Sequence, residues 1–469
     1  MIKHPVSIPN LIQMYTDHVT DPDEILKHFF LQIQRKDPQI KSFISTHEFE
    51  ANESSRLLKL SEVSQKPLYG VPLAIKDNIF VKDLPCTAAS KILDGFIAPY
   101  NATVIEKIVS AGGIILGKTN MDEFAMGSST ENSYFFPTKN PIDQNYVPGG
   151  SSGGSTAAVG GDMALSALGS DTGGSIRQPS AFCGVVGIRP TYGLVSRYGL
   201  IAFASSLDQI GPISQTVDDA FLLLSIIAGH DPLDSTSLEM EYEDLPLNTH
   251  IRSFSVIREI ETLEMDKEIK EKYNQVKKKL SKIFSCHENN MKNFKYALPA
   301  YHVIGDAEAS SNLSRFDSLR YGLRIEKENW KETYAETRTI GFGREVKRRI
   351  LLGTFTLSAG YKESYYSKAF LARESIAKEF QDIFKQNDFI LTPTTTTLPF
   401  RFGEKKDPLK MYYSDICTIP SSLAGLPSVS VPCGFSNHGL PIGMQIIGDK
   451  FSEKNLHKIA KIIESFTDE

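Results

Sequence analysis

Residues 149–155 read Gly-Gly-Ser-Ser-Gly-Gly-Ser, and residues 171–177 read Asp-Thr-Gly-Gly-Ser-Ile-Arg. Glycine lets the backbone turn tightly and brings bare N–H groups close to a ligand, and serine in such a turn presents a hydroxyl with little steric cover. Gly/Ser stretches are often flexible linkers, but the first stretch is flanked by apolar sequence and the second repeats its Gly-Gly-Ser pattern soon afterwards. The pattern therefore indicates two ordered turns that each present a serine.

A lysine, Lys76, ends the apolar run 71–75 upstream of both turns. A free lysine has a pKa of ~10.4, and lowering it by ~3 units costs roughly 4 kcal/mol. Burial beside Ile75, without a close carboxylate, can supply this shift and leave a neutral, basic amine. Asp77 is the objection, but adjacent side chains of an extended segment point to opposite faces, so Asp77 need not contact the lysine.

Lys76 and the two serine turns together offer a base, a relay and a nucleophile without any histidine. The alternative for Lys76 is an ordinary strand-end lysine whose ammonium extends to solvent. Without the two serines, that alternative is the better interpretation.

The composition is that of a globular protein with a large core: 469 residues, 41% hydrophobic and 23% charged. A net charge of −5 argues against strong nucleic-acid binding by this chain alone. The five cysteines are widely spread, and no Cys-x-x-Cys pair occurs, which favours a reducing compartment and argues against a zinc or iron–sulfur site. Since no apolar run approaches the ~20 residues that span a membrane, and the N-terminus lacks an apolar signal core, we expect a cytoplasmic protein with no membrane contact and no bound metal.

Helices and strands interleave from about residue 70 onward, so we predict one large α/β domain over residues 66–469, preceded by a helical segment over 1–65 that packs on the core. Apolar residues at helical spacing predict a helix near 104–109, capped by Asn101 or Thr103 and followed by a buried strand at 114–116. Further strands are expected at 254–257, 389–393 and 428–432, the last two stopped by proline. An amphipathic helix is expected over 264–284, with one apolar face formed by Ile269, Tyr273, Val276 and Leu280.

Two short segments match known catalytic or binding motifs, but the sequence around each segment does not fit the secondary structure that the motif requires. Residues 112–119 fit the phosphate-binding pattern G-x-x-x-x-G-K-[ST], but their central Ile-Ile-Leu predicts a buried strand and the expected helix precedes it. Residues 150–154 come close to the G-x-S-x-G elbow, with Ser152 as nucleophile, but the sequence before them is poor strand sequence and no histidine stands in a suggestive setting.

Residues 70–78, 149–155, 171–177 and 187–190 together resemble the amidase signature family, in order and in spacing. The resemblance implies a mixed β-sheet flanked by helices on both faces. It also implies a Ser-cisSer-Lys triad in which Lys76 is the base, Ser151 is the relay serine with a cis peptide bond, and Ser175 is the nucleophile.

In this interpretation Ser175 attacks an amide carbonyl, forming an ester and releasing ammonia. The backbone N–H groups of Thr172, Gly173 and Gly174, with that of Ser175, are placed to hold the oxyanion. Asp171 and Arg177 would fix the turn, and a purely structural ion pair explains these two residues equally well.

Four further segments, 126–132, 308–317, 343–350 and 423–427, resemble one branch of that family, the A subunits of glutamyl-tRNA(Gln) amidotransferases. This resemblance implies glutamine as substrate, with its carboxylate on Arg349, its ammonium on Asp415 and Tyr301 lining the pocket. Arg348 is the alternative to Arg349, since a one-residue alignment error would exchange them.

The same resemblance implies a heterotrimer with the B and C subunits of such an amidotransferase. Ammonia would pass through a tunnel to the B subunit, which uses ATP and magnesium and holds most of the tRNA, so no cofactor is expected in this chain. Two alternatives remain open. One is a free-standing amidase acting on small amides, and the other is a catalytically silent assembly protein.

Overall fold

The computed structural model of this chain describes residues 7–47 and 63–467. In these residues one mixed sheet of 11 strands runs through the molecule in the order β1-β3-β2-β4-β6-β5-β10-β11-β9-β7-β8. The strands are β1 Phe43–Thr46, β2 Pro72–Lys76, β3 Ile114–Thr119, β4 Ser166–Asp171, β5 Val186–Arg189, β6 Gln209–Ser214, β7 Ser253–Ile257, β8 Ser285–Asn289, β9 Phe389–Pro393, β10 Ser428–Phe435 and β11 Pro441–Gly448. Strand β2 pairs in parallel with β3 and β4, and β7 pairs in parallel with β8 and β9. The other strand pairs are antiparallel.

Helices of very different length connect these strands. They are α1 Ile8–Thr16, α2 Pro22–Ile40, α3 Thr103–Ser110, α4 Gly153–Gly160, α5 Arg177–Cys183, α6 Val217–Ile227, α7 Arg258–Glu261, α8 Lys267–Leu280, α9 Ala297–Asn312, α10 Trp330–Gly341, α11 Arg344–Leu357, α12 Ser367–Phe384, α13 Pro408–Tyr412, α14 Ile419–Ala424 and α15 Glu453–Glu464. Among them, no helix is long and apolar enough to cross a membrane.

Both faces of the sheet are covered, as strand β9 shows most clearly. All five of its residues are buried. Phe389 and Leu391 belong to one apolar core, whereas Ile390 between them belongs to a second core. Because successive side chains of a strand point to opposite faces, the two cores lie on opposite sides of the sheet. This confirms the predicted α/β domain with a mixed sheet flanked by helices.

The two N-terminal helices pack on the first of these cores. Helix α1 contributes Ile8, Leu11 and Tyr15, and the apolar residues of α2 extend the same cluster. The Asp21 side chain caps α2 by accepting a hydrogen bond from the Glu24 amide at 2.9 Å. The predicted boundary near residue 65 follows a stretch, 48–62, outside the described residues, and it stays a prediction.

Several elements appear where the sequence predicts them. Strands β3, β7 and β9 are confirmed, and helix α8 buries the predicted apolar face, Ile269, Tyr273, Val276 and Leu280. Six of the eight residues of the rejected phosphate-binding match, 114–119, form β3, and all six are buried. It is therefore a core strand and not a phosphate loop.

The predicted cap of helix α3 is wrong. The capping residue is Ala102, which provides no side-chain hydrogen bond. The side-chain oxygen of Asn101 is already engaged, because it accepts a hydrogen bond from the Lys82 amide at 2.7 Å. Thr103 instead donates its hydroxyl to Asp231 at 2.5 Å.

The predicted end of strand β10 is also wrong. Pro393 does end β9, but β10 continues past Pro432 to Phe435. The register of β10 against β11 shifts between Pro432 and Gly434. Such a bulge is one of the places where a sheet tolerates a proline without losing the strand.

Candidate active site

Lys76 lies at the carboxyl end of strand β2, beside the parallel strand β4. Because parallel strands end at the same edge, its side chain meets Ser170 near the end of β4. The lysine is fully buried, and its Nζ donates to Ser170 Oγ at 2.9 Å and to the Ser170 carbonyl at 3.2 Å. Nζ also donates to Ser151 Oγ at 2.7 Å and to Ser152 Oγ at 2.8 Å. The amine is therefore enclosed by neutral oxygen atoms.

This environment lowers the pKa of Lys76 from its ordinary value to about 7. Burial is the principal cause, because it penalises the charged form. The carboxylates of Asp122, Asp171 and Asp208 oppose the shift from a distance. Of the ion pairs that the described residues form, none includes Lys76. A large fraction of this amine is therefore neutral near pH 7.

Asp77 lies on the opposite side of the strand from the Lys76 amine. Its carboxylate forms an ion pair with Lys118 at 3.2 Å, with both side chains fully buried. It also accepts hydrogen bonds from the amide and the hydroxyl of Thr87, at 2.9 and 2.5 Å. The expectation that Asp77 need not contact Lys76 is confirmed.

The first serine turn contains a cis peptide bond between Gly150 and Ser151, as expected. Asp122 packs directly against this turn: its amide donates to the Ser151 carbonyl at 3.2 Å. A Cβ at Gly150 would overlap a carboxylate oxygen of Asp122, so only glycine fits there. Asp122 was not among the candidate residues, and the only signal for it is an acidic residue shortly after strand β3.

Asp122 also fixes a neighbouring loop. Its carboxylate accepts hydrogen bonds from the amides of Thr130 at 2.9 Å, Asn132 at 3.2 Å and Ser129 at 3.3 Å. Burial raises the pKa of Asp122 to about 6, although these amides work in the other direction. One buried carboxylate thus supports both the first serine turn and the loop 129–132.

The second serine turn places Ser175 beside the first. The Ser152 amide donates to the Ser175 carbonyl at 3.1 Å, and Ser175 is 6% exposed. In the part of the chain that the structure describes, the Ser175 hydroxyl has no hydrogen-bond partner, so no bond joins it to Ser151. Within the same ranges, the backbone amides of residues 172–175 have no protein acceptor. The turn therefore presents one hydroxyl and a row of available N–H groups.

Buried ion pairs hold the two ends of this turn in place. The Asp171 carboxylate accepts two hydrogen bonds from Arg177, each 3.0 Å long, and lies 3.2 Å from Arg189. Burial alone would raise the pKa of Asp171, but the two guanidinium groups reverse the effect and hold it at about 2. On the other flank, the Thr172 hydroxyl donates to Asp208 at 2.7 Å. Arg189 and Asp208 complete the support that was predicted from Asp171 and Arg177 alone.

Tyr301 and Asp415 line the space next to the glycines of the turn. A Cβ on Gly173 would lie 2.7 Å from the Tyr301 ring, and one on Gly174 would lie 2.9 Å from Asp415 Oδ1. Asp415 Oδ2 accepts the Ser128 hydroxyl at 2.5 Å, while the buried Oδ1 has no hydrogen-bond partner among the described residues. Burial raises the pKa of Asp415 to about 7. A buried carboxylate oxygen without a partner is well suited to a cationic ligand group.

Arg349 approaches the same region from helix α11. It is 4% exposed, and its Nε donates to Glu345 at 2.8 Å and lies 4.0 Å from Asp306. Its guanidinium also lies over the ring of Phe203, 5.5 Å from the centroid. Arg348 is more exposed; it pairs with the same Glu345 and also donates to the Tyr412 hydroxyl at 2.7 Å.

Burial raises the pKa of the Tyr301 hydroxyl, and the positive charge of Arg349 opposes this effect. The choice of Arg349 over Arg348 for the substrate carboxylate stays a prediction. Asp306 and Glu345, the carboxylate neighbours of Arg349, were not predicted. Glu345 lies one turn earlier on the same helix, whereas the contact with Asp306 depends on how α9 packs against α11.

Comparison with known proteins gives consistent results. The sequence model of the Amidase family matches residues 24–456. The A subunit of glutamyl-tRNA(Gln) amidotransferase from Halothermothrix orenii is 48% identical over 467 residues, which is 98% of this chain and 97% of the relative. The crystal structure of the protein of the same name from Thermotoga maritima superposes with a TM-score of 0.83 at 43% identity and covers 100% of this chain and 96% of its own.

More distant structures share the fold alone. A 6-aminohexanoate cyclic dimer hydrolase superposes with a TM-score of 0.81 over 97% of this chain and 96% of its own, at 22% identity. At that level of identity the shared fold does not extend to a shared substrate.

Proposed function

This chain belongs to the amidase family, and we propose that it is the glutamine-hydrolysing component of a tRNA-dependent amidotransferase. One observation carries the catalytic part of the proposal. A fully buried lysine with a pKa near 7 lies within hydrogen-bond distance of a serine hydroxyl, next to a second serine in a turn with available amides. The likeness to amidotransferase A subunits along nearly the whole chain supports glutamine, rather than another amide, as the substrate.

The reaction begins with proton transfer. Neutral Lys76 takes the proton of the Ser151 hydroxyl, and Ser151 takes that of Ser175. The Ser175 oxygen forms a bond to the side-chain amide carbon of glutamine. The first transfer needs no movement, because Nζ and Ser151 Oγ are 2.7 Å apart. The second transfer requires the Ser175 and Ser151 hydroxyls to come within hydrogen-bond distance, and such contacts commonly tighten only when substrate is bound.

The negative charge that develops on the amide oxygen is held by backbone N–H groups of the second turn. Thr172, Gly173, Gly174 and Ser175 supply these groups. Donors that are fixed before the reaction cost no reorganisation, and losing one typically costs ~3–4 kcal/mol in the barrier. The buried ion pairs of Asp171 fix this turn in advance.

The tetrahedral intermediate then collapses. The C–N bond breaks, the nitrogen leaves as ammonia with the proton returned through Ser151, and a glutamyl ester of Ser175 remains. Water, activated by the same Lys76–Ser151 pair, attacks the ester and releases glutamate and the free serine. Each step uses one proton and returns it, so Lys76 ends the cycle neutral.

Substrate recognition requires an anion and a cation, since glutamine carries an α-ammonium and an α-carboxylate. The unpartnered Oδ1 of Asp415 supports its assignment to the ammonium. The buried guanidinium of Arg349 supports its assignment to the carboxylate, with Tyr301 between the pocket and the turn.

The proposed subunit assembly is supported by the same similarity to amidotransferase A subunits. We propose that the chain works in a heterotrimer with the amidotransferase B and C subunits, and that the ammonia moves to the B subunit. This partner converts Glu-tRNA(Gln) to Gln-tRNA(Gln) with ATP and magnesium. The mildly acidic net charge of −5 is compatible with a chain that leaves most of the tRNA contacts to its partner. We propose a cytoplasmic location for the complex, which is compatible with a tRNA-dependent reaction.

The test is glutamate release from glutamine by the purified chain, alone and with co-expressed candidate partners, with Ser175→Ala measured alongside. We expect release that depends on Ser175 and rises strongly with the partners. Equal activity without partners and on simple uncharged amides would identify a free-standing amidase instead. Release that persists in Ser175→Ala would contradict the mechanism.

A further inference from the structure

Glu123 is a buried glutamate that the reaction sequence above does not use. It is 3% exposed and directly follows Asp122 in the chain. Both of its carboxylate oxygens accept hydrogen bonds from the Gly343 amide, at 2.9 and 3.1 Å, and one accepts the Ser90 hydroxyl. A buried carboxylate is costly unless its partners are fixed, so this contact joins two segments 220 residues apart in sequence.

Gly343 is the residue that caps helix α11, and it has no side chain with which to cap the helix itself. Glu123 therefore supplies the cap from another part of the chain, and its negative charge lies at the positive end of the helix. The fit is close, because a Cβ on Gly343 would overlap Glu123 Oε2. Helix α11 also contains Arg349, the residue that we propose binds the substrate carboxylate.

The neighbouring residue secures the opposite end of the pocket. Asp122 holds the amides of the loop 129–132, and the adjoining Ser128 donates its hydroxyl to Asp415. Two consecutive carboxylates thus anchor the two charged ends of the proposed substrate site. Asp122 supports the side that contains Asp415, and Glu123 supports the helix that contains Arg349.

We propose that Glu123 is a positioning residue that sets the distance between Arg349 and Asp415, and so selects an amide substrate that carries both an α-carboxylate and an α-ammonium. This inference rests on the proposed glutaminase function. Glu123 touches neither the triad nor the oxyanion turn, so its loss weakens recognition of the charged substrate and leaves the chemistry intact.

The test is Glu123→Gln in the full chain, purified with its co-expressed partners. Glutamine keeps the size of the side chain but removes the negative charge beside the helix. Because the Gly343 N–H contacts both carboxylate oxygens, it faces an NH2 group at one of the two positions whichever way the glutamine amide is turned. We expect KM for glutamine to rise about tenfold, with kcat within about threefold of the wild type. We expect kcat/KM for propionamide, an uncharged amide, to change less than about twofold.

A second variant disrupts the same contact between Glu123 and the Gly343 amide by changing Gly343. Gly343 has an ordinary φ of −70°, so Gly343→Ala adds no backbone strain and acts only by displacing the Glu123 carboxylate. It should reproduce the rise in KM for glutamine. The matched control is Glu453→Gln, which alters another fully buried glutamate that accepts a backbone amide, from Thr191 at 2.8 Å. We expect this control to leave the preference for glutamine over propionamide unchanged.

The outcomes separate the two proposals. A wild-type chain that does not hydrolyse glutamine overturns the proposed function and this inference with it. If the wild type hydrolyses glutamine but Glu123→Gln behaves like Glu453→Gln, or impairs both substrates equally, the positioning role alone is overturned. Thermal unfolding of each variant identifies general destabilisation, which would lower activity on both substrates together.

Discussion

Two buried lysines at the carboxyl ends of adjacent parallel strands have opposite environments. Lys76 on β2 and Lys118 on β3 are both fully buried, and Lys118 is paired in register with Ile75, the residue before Lys76. Lys118 forms an ion pair with Asp77 and donates to the Ile79 carbonyl at 2.8 Å. Lys76 is surrounded by serine oxygens and has no carboxylate within ion-pair distance among the described residues. Burial alone therefore does not make a lysine a base, because the neighbouring groups decide whether it keeps its proton.

The largest effect is expected from Lys76→Met, which removes the proposed base. Glutamine hydrolysis should fall by about 10²- to 10⁴-fold, the usual contribution of a general base. The free energy of unfolding at neutral pH should change by less than about 2 kcal/mol, because a largely neutral amine is replaced by a side chain of similar length. Steady-state kinetics and chemical denaturation of the same preparation measure both. Retained activity would mean that Lys76 is not the base.

The corresponding change at the second lysine should have the reverse profile. Lys118→Met leaves the Asp77 carboxylate buried without its cation, and we expect a loss of about 3–5 kcal/mol in the free energy of unfolding. The folded fraction should retain kcat within about threefold, since Asp77 lies away from the Lys76 amine. Adding Asp77→Asn should recover part of the stability. A variant that is fully stable but inactive would show that the two lysines do not differ as described.

Ser170→Asp tests whether the neutral surroundings of Lys76 are essential. Ser170 Oγ is 2.9 Å from Nζ, so an aspartate there would provide the ion pair that Lys118 already has. An opposite charge this close should raise the pKa of Lys76 by about 1–2 units, and with it the midpoint of the pH–rate profile. The rate at pH 7 should fall by roughly 5- to 50-fold, in proportion to the neutral fraction of the amine. Ser170→Ala, which adds no charge, should leave the midpoint within about half a unit.

The smallest effect is the pH dependence of the wild type itself. Since deprotonated Lys76 is the reactive form, kcat/KM for an uncharged amide should rise with pH through about 7 and then level off. For glutamine the rise should be steeper, because Asp415, with a pKa of about 7, must be ionised to hold the ammonium. A rate that falls with increasing pH across this range would contradict the role of Lys76.

The sequence was sufficient to predict an α/β fold and the extended segment that carries Lys76, whereas the mixed sheet was implied by the resemblance to the amidase signature family. Local patterns are sufficient for these predictions, because an apolar run that ends in lysine, or a glycine-rich turn, can be recognised from a few consecutive residues. It was also sufficient to predict that Asp77 faces away, because side chains alternate along a strand. The assigned roles of Lys76, Ser151 and Ser175 remain predictions.

The groups that tune the site could not be predicted from the sequence. Ser170 becomes a partner of Lys76 only because β2 and β4 are neighbours in the sheet, and nothing in the sequence fixes that strand order. Asp122 and Glu123 likewise act through contacts with distant turns and helices. Caps were missed for the same reason: Asn101 and Thr103 have partners elsewhere in the chain.

The central claim is that Lys76 activates Ser175 for attack on glutamine, and the most direct measurement is the location of the covalent intermediate. Acid quenching during turnover, followed by peptide mass spectrometry, should find a glutamyl ester on Ser175 of the wild type. The same experiment should find none in Lys76→Met at pH 7. An ester on Ser151 or Ser152, or equal labelling of Ser175 without Lys76, would contradict the account.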